Sequence, residues 1–193
     1  SLPLSPAGAL NLPCSAAARR SRQVRASSLR KYGGRFGVTE AVASSAVITA
    51  EELDAALVIC FTETGTTSRL MSKYRPQCPI FAITAASDTA RICSGLSRGV
   101  HAMTMRKVGE ESIHVLRSAG KAHDAAVQQV LRRTLREANN LGFCDVGDFV
   151  IIIQGQAMDG VSAKHDPNAH ATNTMEVHMI SEADLADPED AES

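Results

Sequence analysis

A short apolar run that breaks into hydroxyl side chains around one glycine is the feature that most restricts the fold of this chain. The run Leu57–Phe61 has the length of a strand and contains β-branched residues. After the polar stretch Thr62–Thr67, apolar residues return at helical spacing at Leu70, Met71 and Tyr74. This order predicts a strand, a tight turn and a helix.

The same alternation of strand-length and helix-length segments continues along the chain. Further strands are predicted at Ile80–Thr84, Val100–Met105 and Phe149–Ile153, and helices at Thr66–Lys73, Ser87–Leu96 and Ala122–Leu141. Strands that alternate with helices predict a parallel sheet covered by helices on both faces.

Two segments at the ends of this region complete the predicted fold. A helix is expected to begin near Thr39, with Thr39 as its cap, and either to restart at Thr49 or to run through to Leu53. Thr174–Ile180 alternates apolar and polar residues, which is typical of a half-exposed edge strand that returns antiparallel. The predicted fold is therefore α/β, with three layers and about five strands, mostly parallel with one antiparallel edge strand.

Composition divides the 193 residues into three parts. Residues 1–37 are rich in Ser, Ala, Pro and Arg, and we expect a disordered basic leader that is transit-peptide-like or marks a fragment boundary, with a nucleic-acid arm as a third alternative. Residues 38–181 form the predicted domain. Residues 182–193 hold six acidic and no basic residues, and we expect a solvated acidic tail.

Charge and cysteine usage exclude several classes of protein. The first 39 residues hold seven of the 20 basic residues and no acidic one, so the remainder has a formal net charge of −8, which argues against nucleic acid as the main partner. No apolar run has the length of a membrane span. The five cysteines are scattered without a CxxC pair, which argues against a disulfide framework or a zinc site and favours a reducing compartment. A cytoplasmic location is predicted, with a plastid or another organelle as the alternative if the leader is a transit peptide.

The hydroxyl-rich turn is the candidate binding site. The first N–H groups of a helix have no intrahelical partner and carry the positive end of the helix dipole, so a phosphate suits this position. In the alternative interpretation, Thr64, Thr66 or Thr67 only caps the helix.

Several ordered motifs resemble the C-terminal domain of pyruvate kinase. They are Thr62-Glu63-Thr64-Gly65-Thr66-Thr67-Ser68-Arg69-Leu70, Ser72-Lys73-Tyr74-Arg75-Pro76, Cys78-Pro79-Ile80, Arg98-Gly99-Val100, Gly147-Asp148, Gln154-Gly155 and Asn173-Thr174-Met175-Glu176-Val177. The resemblance runs from about Val38 to Ile180.

The resemblance implies an allosteric pocket between the turn and a second loop, Gly155–Asn173. In the family, this pocket binds a sugar bisphosphate such as fructose 1,6-bisphosphate in many eukaryotic members. The resemblance transfers the phosphate-binding role onto Thr62, Glu63, Thr64, Gly65, Thr66 and Thr67. Two features depart from the family pattern: Glu63 is acidic, and the second loop is longer than usual, with Lys164, His165 and His170 in an insertion.

The resemblance also implies what this chain does not do. The family's catalytic residues, and the sites for its Mg²⁺ and K⁺, lie in a TIM barrel, and no eightfold strand–helix pattern precedes Val38. We therefore expect no catalytic residue, no metal and no cofactor in this chain, which should be inactive alone. His165, Asp166 and His170 are interpreted as surface-loop residues, because a third ligand on a rigid element is missing.

The resemblance also implies partners for the chain, and other functions remain as alternatives to it. The family domain packs between subunits of a tetramer, so we expect a homo-oligomer or contacts with pyruvate kinase barrels and subunits. The alternatives are a free-standing small-molecule sensor, a non-functional gene fragment, and a small phosphatase or nucleotide-handling enzyme that uses Thr64 and Glu63 as nucleophile and base.

Overall fold

The computed structural model describes residues 16–31, 37–104, 121–154 and 174–186. The strands are β1 (Leu57–Phe61), β2 (Ile80–Thr84), β3 (Val100–Thr104), β4 (Phe149–Gln154) and β5 (Thr174–Met179). The helices are α1 (Ala16–Lys31), α2 (Val38–Glu52), α3 (Thr66–Tyr74), α4 (Ser87–Leu96), α5 (Lys121–Asn140) and α6 (Glu182–Leu185).

One five-stranded sheet organises the described residues, in the order β3-β2-β1-β4-β5. β1 lies at the centre and pairs in parallel with β2 on one side and with β4 on the other. β3 pairs in parallel with β2, whereas β5 pairs antiparallel with β4 at the sheet edge. The predicted α/β fold, with five strands and one antiparallel edge strand, is confirmed.

Helices cover both faces of the sheet because the inner strands are apolar on both sides. One core packs α2, α3 and α4 against alternate strand residues such as Val58, Ile80 and Ile151. The other core packs α5 against the residues between them, such as Ile59 and Ile152. Strands buried on both faces read as continuous apolar runs, which is why the sequence indicated them clearly.

Helix ends differ from the prediction at two positions. The N-cap of α2 is Gly37, so Thr39 lies inside the first turn and is not the cap. α2 continues past Thr49 to Glu52, which selects the uninterrupted helix of the two alternatives. The α5 helix ends at Asn140, so Leu141, the last residue of the predicted helix, lies just past the helix end and is 57% exposed.

Residues 16–31 differ from the disorder expected of residues 1–37. They form α1, which packs on α2 and α3. Val24 contacts the core beneath these helices, and Ser28 is buried. The segment has few apolar residues, so its pattern does not predict a helix, and packing against neighbouring helices supplies most of a short helix's stability.

The acidic segment also differs from expectation where it begins. Glu182–Leu185 form α6 instead of a solvated tail, with Ser181 and Asp184 in a capping box. Asp184 is buried, and Leu185 packs against the α5 side of the core. Residues 187–193 lie outside the described residues.

The edge strand β5 exposes its apolar side chains. Met175, Val177 and Met179 are 38%, 44% and 59% exposed, whereas Thr174 and His178 on the opposite face are partly buried. The predicted alternation is confirmed, but the apolar side chains are the more exposed set.

In the described residues, no helix has both the length and the apolar character that crossing a bilayer requires.

Candidate functional site

The sheet order places the ends of β1 and β4 side by side. Cys60 pairs with Ile153 near the carboxyl ends of the two parallel strands. The chain leaves β1 towards β2 on one side, whereas β4 lies on the other side, so the strand order reverses here. Ligands of open α/β sheets bind at such switch points, beyond the carboxyl ends of the strands.

The turn Thr62–Thr67 follows β1 at this switch point and leads into α3. Gly65 is the N-cap of α3, with φ of 79° and ψ of 2°, and its N–H donates to Thr62 Oγ1 at 2.9 Å. The interpretation in which Thr64, Thr66 or Thr67 is the N-cap residue is wrong, because Gly65 occupies that position and has no side chain.

The six candidate residues divide into a buried and an exposed set. Thr62, Gly65 and Thr67 are buried. Glu63, Thr64 and Thr66 are exposed, and the hydroxyls of Thr64 and Thr66 lie 2.9 Å apart. The exposed threonine hydroxyls lie at the N-terminus of α3, where the helix dipole favours a negative charge.

The loop Gly155–Asn173, which the sequence pairs with this turn, lies outside the described residues, as do His165, Asp166 and His170. Within the described ranges, no group of three or more His, Cys, Asp and Glu side chains is arranged to hold a metal ion.

Three further residues contact the turn on its buried side, and none of them is among the site residues predicted from the sequence. Thr89 Oγ1 of α4 donates to the backbone carbonyl of Glu63 at 3.1 Å. Ser68 Oγ, fully buried, lies 3.0 Å from the carbonyl of Gly65 and 3.3 Å from Cys93 Sγ of α4. Cys93 is buried, and only the fold brings it beneath Gly65.

The chemistry of the described side chains does not favour a nucleophile here. The Thr64 hydroxyl is paired with another hydroxyl, which cannot act as a general base near neutral pH. Burial, and then repulsion by Cys93, raises the pKa of the Cys60 thiol, so Cys60 stays protonated and unreactive. The arrangement suits binding through hydroxyls and backbone N–H groups more than covalent catalysis.

Comparisons with known proteins agree on one family. The family model described as "Pyruvate kinase, alpha/beta domain" matches residues 40–178. A pyruvate kinase of Dictyostelium discoideum is 33% identical over 146 residues, which are 76% of this chain and 24% of that protein. Pyruvate kinase 2 of Candida glabrata is 39% identical over 117 residues, which are 61% of this chain and 21% of that protein.

A solved structure shows the same similarity. The pyruvate kinase from Cryptosporidium parvum superimposes with a TM-score of 0.59 at 26% identity, covering 86% of this chain and 26% of that one. The chain therefore spans about a quarter of the length of the relatives that it matches.

Proposed function

The chain belongs to the pyruvate kinase family, since the family's alpha/beta domain matches residues 40–178, and from this premise we propose that residues 38–181 act as the regulatory and subunit-contact domain of a pyruvate kinase. In this proposal, the full-length proteins of the family carry out the phosphoryl transfer from phosphoenolpyruvate to ADP. The domain contributes effector binding and contacts between subunits.

The regulatory part of the proposal depends on one observation: the hydroxyl-rich turn lies at the reversal of strand order, beside the end of β4. A sugar bisphosphate is the proposed effector, with one phosphate at the turn Thr62–Thr67. Hydroxyls and N–H groups at a helix start can surround a phosphate without a fixed positive charge. Glu63 opposes this binding, because its exposed carboxylate repels an anion.

Calorimetric titration with fructose 1,6-bisphosphate tests this site. We expect binding to the wild-type protein, and Glu63→Lys should tighten it by about 5- to 10-fold, since a charge change of two units acts on a nearby dianion. Glu137→Lys on α5 makes the same charge change on the other helical layer and should leave the affinity nearly unchanged. Absence of heat at millimolar ligand would remove the effector site from the proposal, and an unchanged affinity in Glu63→Lys would show that Glu63 does not face the ligand.

The subunit-contact part depends on β5. β5 is an edge strand, and Met175, Val177 and Met179 share the sheet face of α2 because they pair with Ile153, Ile151 and Phe149. Adjacent exposed apolar side chains at the margin of a sheet mark a contact surface. The proposed occupant is another subunit of the same protein.

Sedimentation velocity tests this contact. Val177→Lys should lower the fraction of associated protein, because a lysine in the contact would leave a charge buried or force the surfaces apart. Leu96→Lys is the matched control, since Leu96 is 83% exposed on α4 near the opposite sheet edge. Equal association of both variants and the wild type would contradict the β5 contact.

A cytoplasmic location is proposed from the name of one relative and from the free cysteines. A relative from Nicotiana tabacum that is named a cytosolic isozyme is 32% identical over 118 residues. Cys60, Cys78, Cys93 and Cys144 are free thiols, as a reducing compartment allows. A fluorescent fusion of the full chain that accumulated in an organelle would contradict this proposal.

A further inference from the structure

Helix α4 contacts the hydroxyl-rich turn at two points. The first is the hydrogen bond from Thr89 Oγ1 to the carbonyl oxygen of Glu63, 3.1 Å long. The second is the packing of Cys93 beneath Gly65, so close that a Cβ atom at position 65 would lie 2.8 Å from Cys93 Sγ. The turn therefore has no space to move towards α4.

The bond from Thr89 also fixes the peptide that follows Glu63. The carbonyl of Glu63 and the N–H of Thr64 belong to one planar peptide unit, and the described residues contain no cis peptide bond. In a trans peptide the two groups point in opposite directions, so a carbonyl that accepts from Thr89 turns the N–H of Thr64 away from α4.

The peptide between Gly65 and Thr66 is held in the same way. The carbonyl of Gly65 accepts from the Ser68 hydroxyl at 3.0 Å and from the Arg69 N–H at 3.1 Å, both of α3. By the same planarity, the N–H of Thr66 points away from the body of α3. The exposed hydroxyls of Thr64 and Thr66 belong to the residues whose N–H groups are turned in this way.

We propose that Thr89 is a positioning residue of the effector site: by holding the Glu63 carbonyl, it aims the Thr64 N–H at the phosphate of the ligand. This inference rests on the proposed function of the turn. Thr89 does not touch the ligand; it acts through the backbone of residues 63 and 64. The ligand class is a phosphate monoester, whose oxygens accept from the aligned N–H groups.

Two matched variants test the role of Thr89. Thr89→Val keeps the shape of the side chain but removes the donor, whereas Thr89→Ser keeps the donor. In calorimetric titrations with fructose 1,6-bisphosphate, Thr89→Val should weaken binding by about 5- to 10-fold and Thr89→Ser by less than about 2-fold. Wild-type affinity in Thr89→Val would overturn the inference.

Backbone 15N relaxation measured by NMR separates this inference from the proposed function. In Thr89→Val, the order parameter of the Thr64 N–H should fall relative to that of Ile59 in the sheet core, and Thr89→Ser should resemble the wild type. If the wild type binds no sugar phosphate, the effector function fails, but a local loss of order at Thr64 would still support the positioning of this peptide. An unchanged order parameter at Thr64, or an equal loss of order at Ile59, would overturn the positioning role.

Discussion

Gly65 is constrained at the level of the single residue by both its backbone and its neighbour. Its φ of 79° lies in the left-handed region, which costs other residues about 1–2 kcal/mol. A side chain there would also meet Cys93 Sγ. The sequence indicated a turn glycine at this position, but the second constraint comes from a residue 28 positions further along the chain.

Replacing Gly65 by Ala should destabilise the domain by about 2–4 kcal/mol, since backbone strain and the contact with Cys93 act together. Urea unfolding followed by circular dichroism measures this loss. Gly95 of α4 is the control, because its φ is not positive and no atom lies within 4 Å of its added Cβ. Gly95→Ala should stabilise the helix by about 0.5–1 kcal/mol, and equal destabilisation by both changes would contradict this account.

Asp184 is the second residue that is expected to contribute measurably to the stability of the fold. Burial alone raises its pKa, but hydrogen bonds from the Ser181 hydroxyl and N–H and from His178 outweigh burial, so its pKa lies below the ordinary 3.8. The bonds from Ser181 Oγ and His178 Nε2 measure 2.6 and 3.0 Å. A carboxyl with a lowered pKa contributes stability that is present above its unfolded-state pKa.

That contribution should be lost as the pH falls below about 4, through the lowered pKa of Asp184 in the folded state. Asp184→Asn should cost about 1–3 kcal/mol at pH 7, because the charge-assisted bonds are weakened. It should also flatten the acid limb of stability measured by urea unfolding between about pH 2 and pH 5. An acid limb that Asp184→Asn leaves unchanged would contradict this role.

At the level of the elements, strands were the most predictable part of the structure. β1, β2 and β4 are buried on both faces, so their apolar runs identify them without knowledge of their neighbours. The exposure of β5 was not predictable, because alternation reveals two faces but not which of them a helix covers. For α1 the deciding contacts are with α2 and α3, which lie beyond any local pattern.

The packing of α1 should contribute to stability. Burial and the hydrogen bond to Glu40 raise the pKa of Tyr74, whereas the hydroxyl of Ser28, a buried residue of α1, lowers it, so Ser28 lies beside the Tyr74 side chain. A protein that begins at Val38 loses this contact and that of Val24, so its free energy of unfolding should fall by about 1–3 kcal/mol. Thermal unfolding of both lengths measures the difference.

A point substitution separates the packing of α1 from its charge. Val24→Ala should reproduce part of the loss, about 1 kcal/mol, whereas Arg30→Ala on the exposed side should change stability by less than about 0.5 kcal/mol. Equal stability of the two chain lengths would mean that α1 adds nothing to the domain.

At the level of the whole molecule, the sequence predicted the architecture and the position of the hydroxyl-rich turn but not the contacts that hold the turn. Switch-point geometry follows from the order of strands and helices, and the motifs around Gly65 indicated the turn. Thr89 could not be predicted, because its partner Glu63 lies 26 residues away and no local pattern joins them.

The purified chain should form no pyruvate from phosphoenolpyruvate and ADP in the presence of Mg²⁺ and K⁺. The proposed role of this domain is regulatory, and in the family the phosphoryl-transfer groups belong to the barrel. A lactate dehydrogenase-coupled assay measures pyruvate through the oxidation of NADH, and a full-length pyruvate kinase is the positive control. Turnover by this chain that scales with its concentration would contradict the proposed division of roles.

The central position of β1 has a consequence for biosynthesis. Leu57 pairs with Val150, so one margin of the innermost strand has no partner until about a hundred further residues have left the ribosome. Pairing over such separations slows folding, and an unpaired apolar strand meanwhile invites association with other nascent chains. If translation pauses before β4 has been synthesised as far as Gln154, this polypeptide should therefore depend on chaperones.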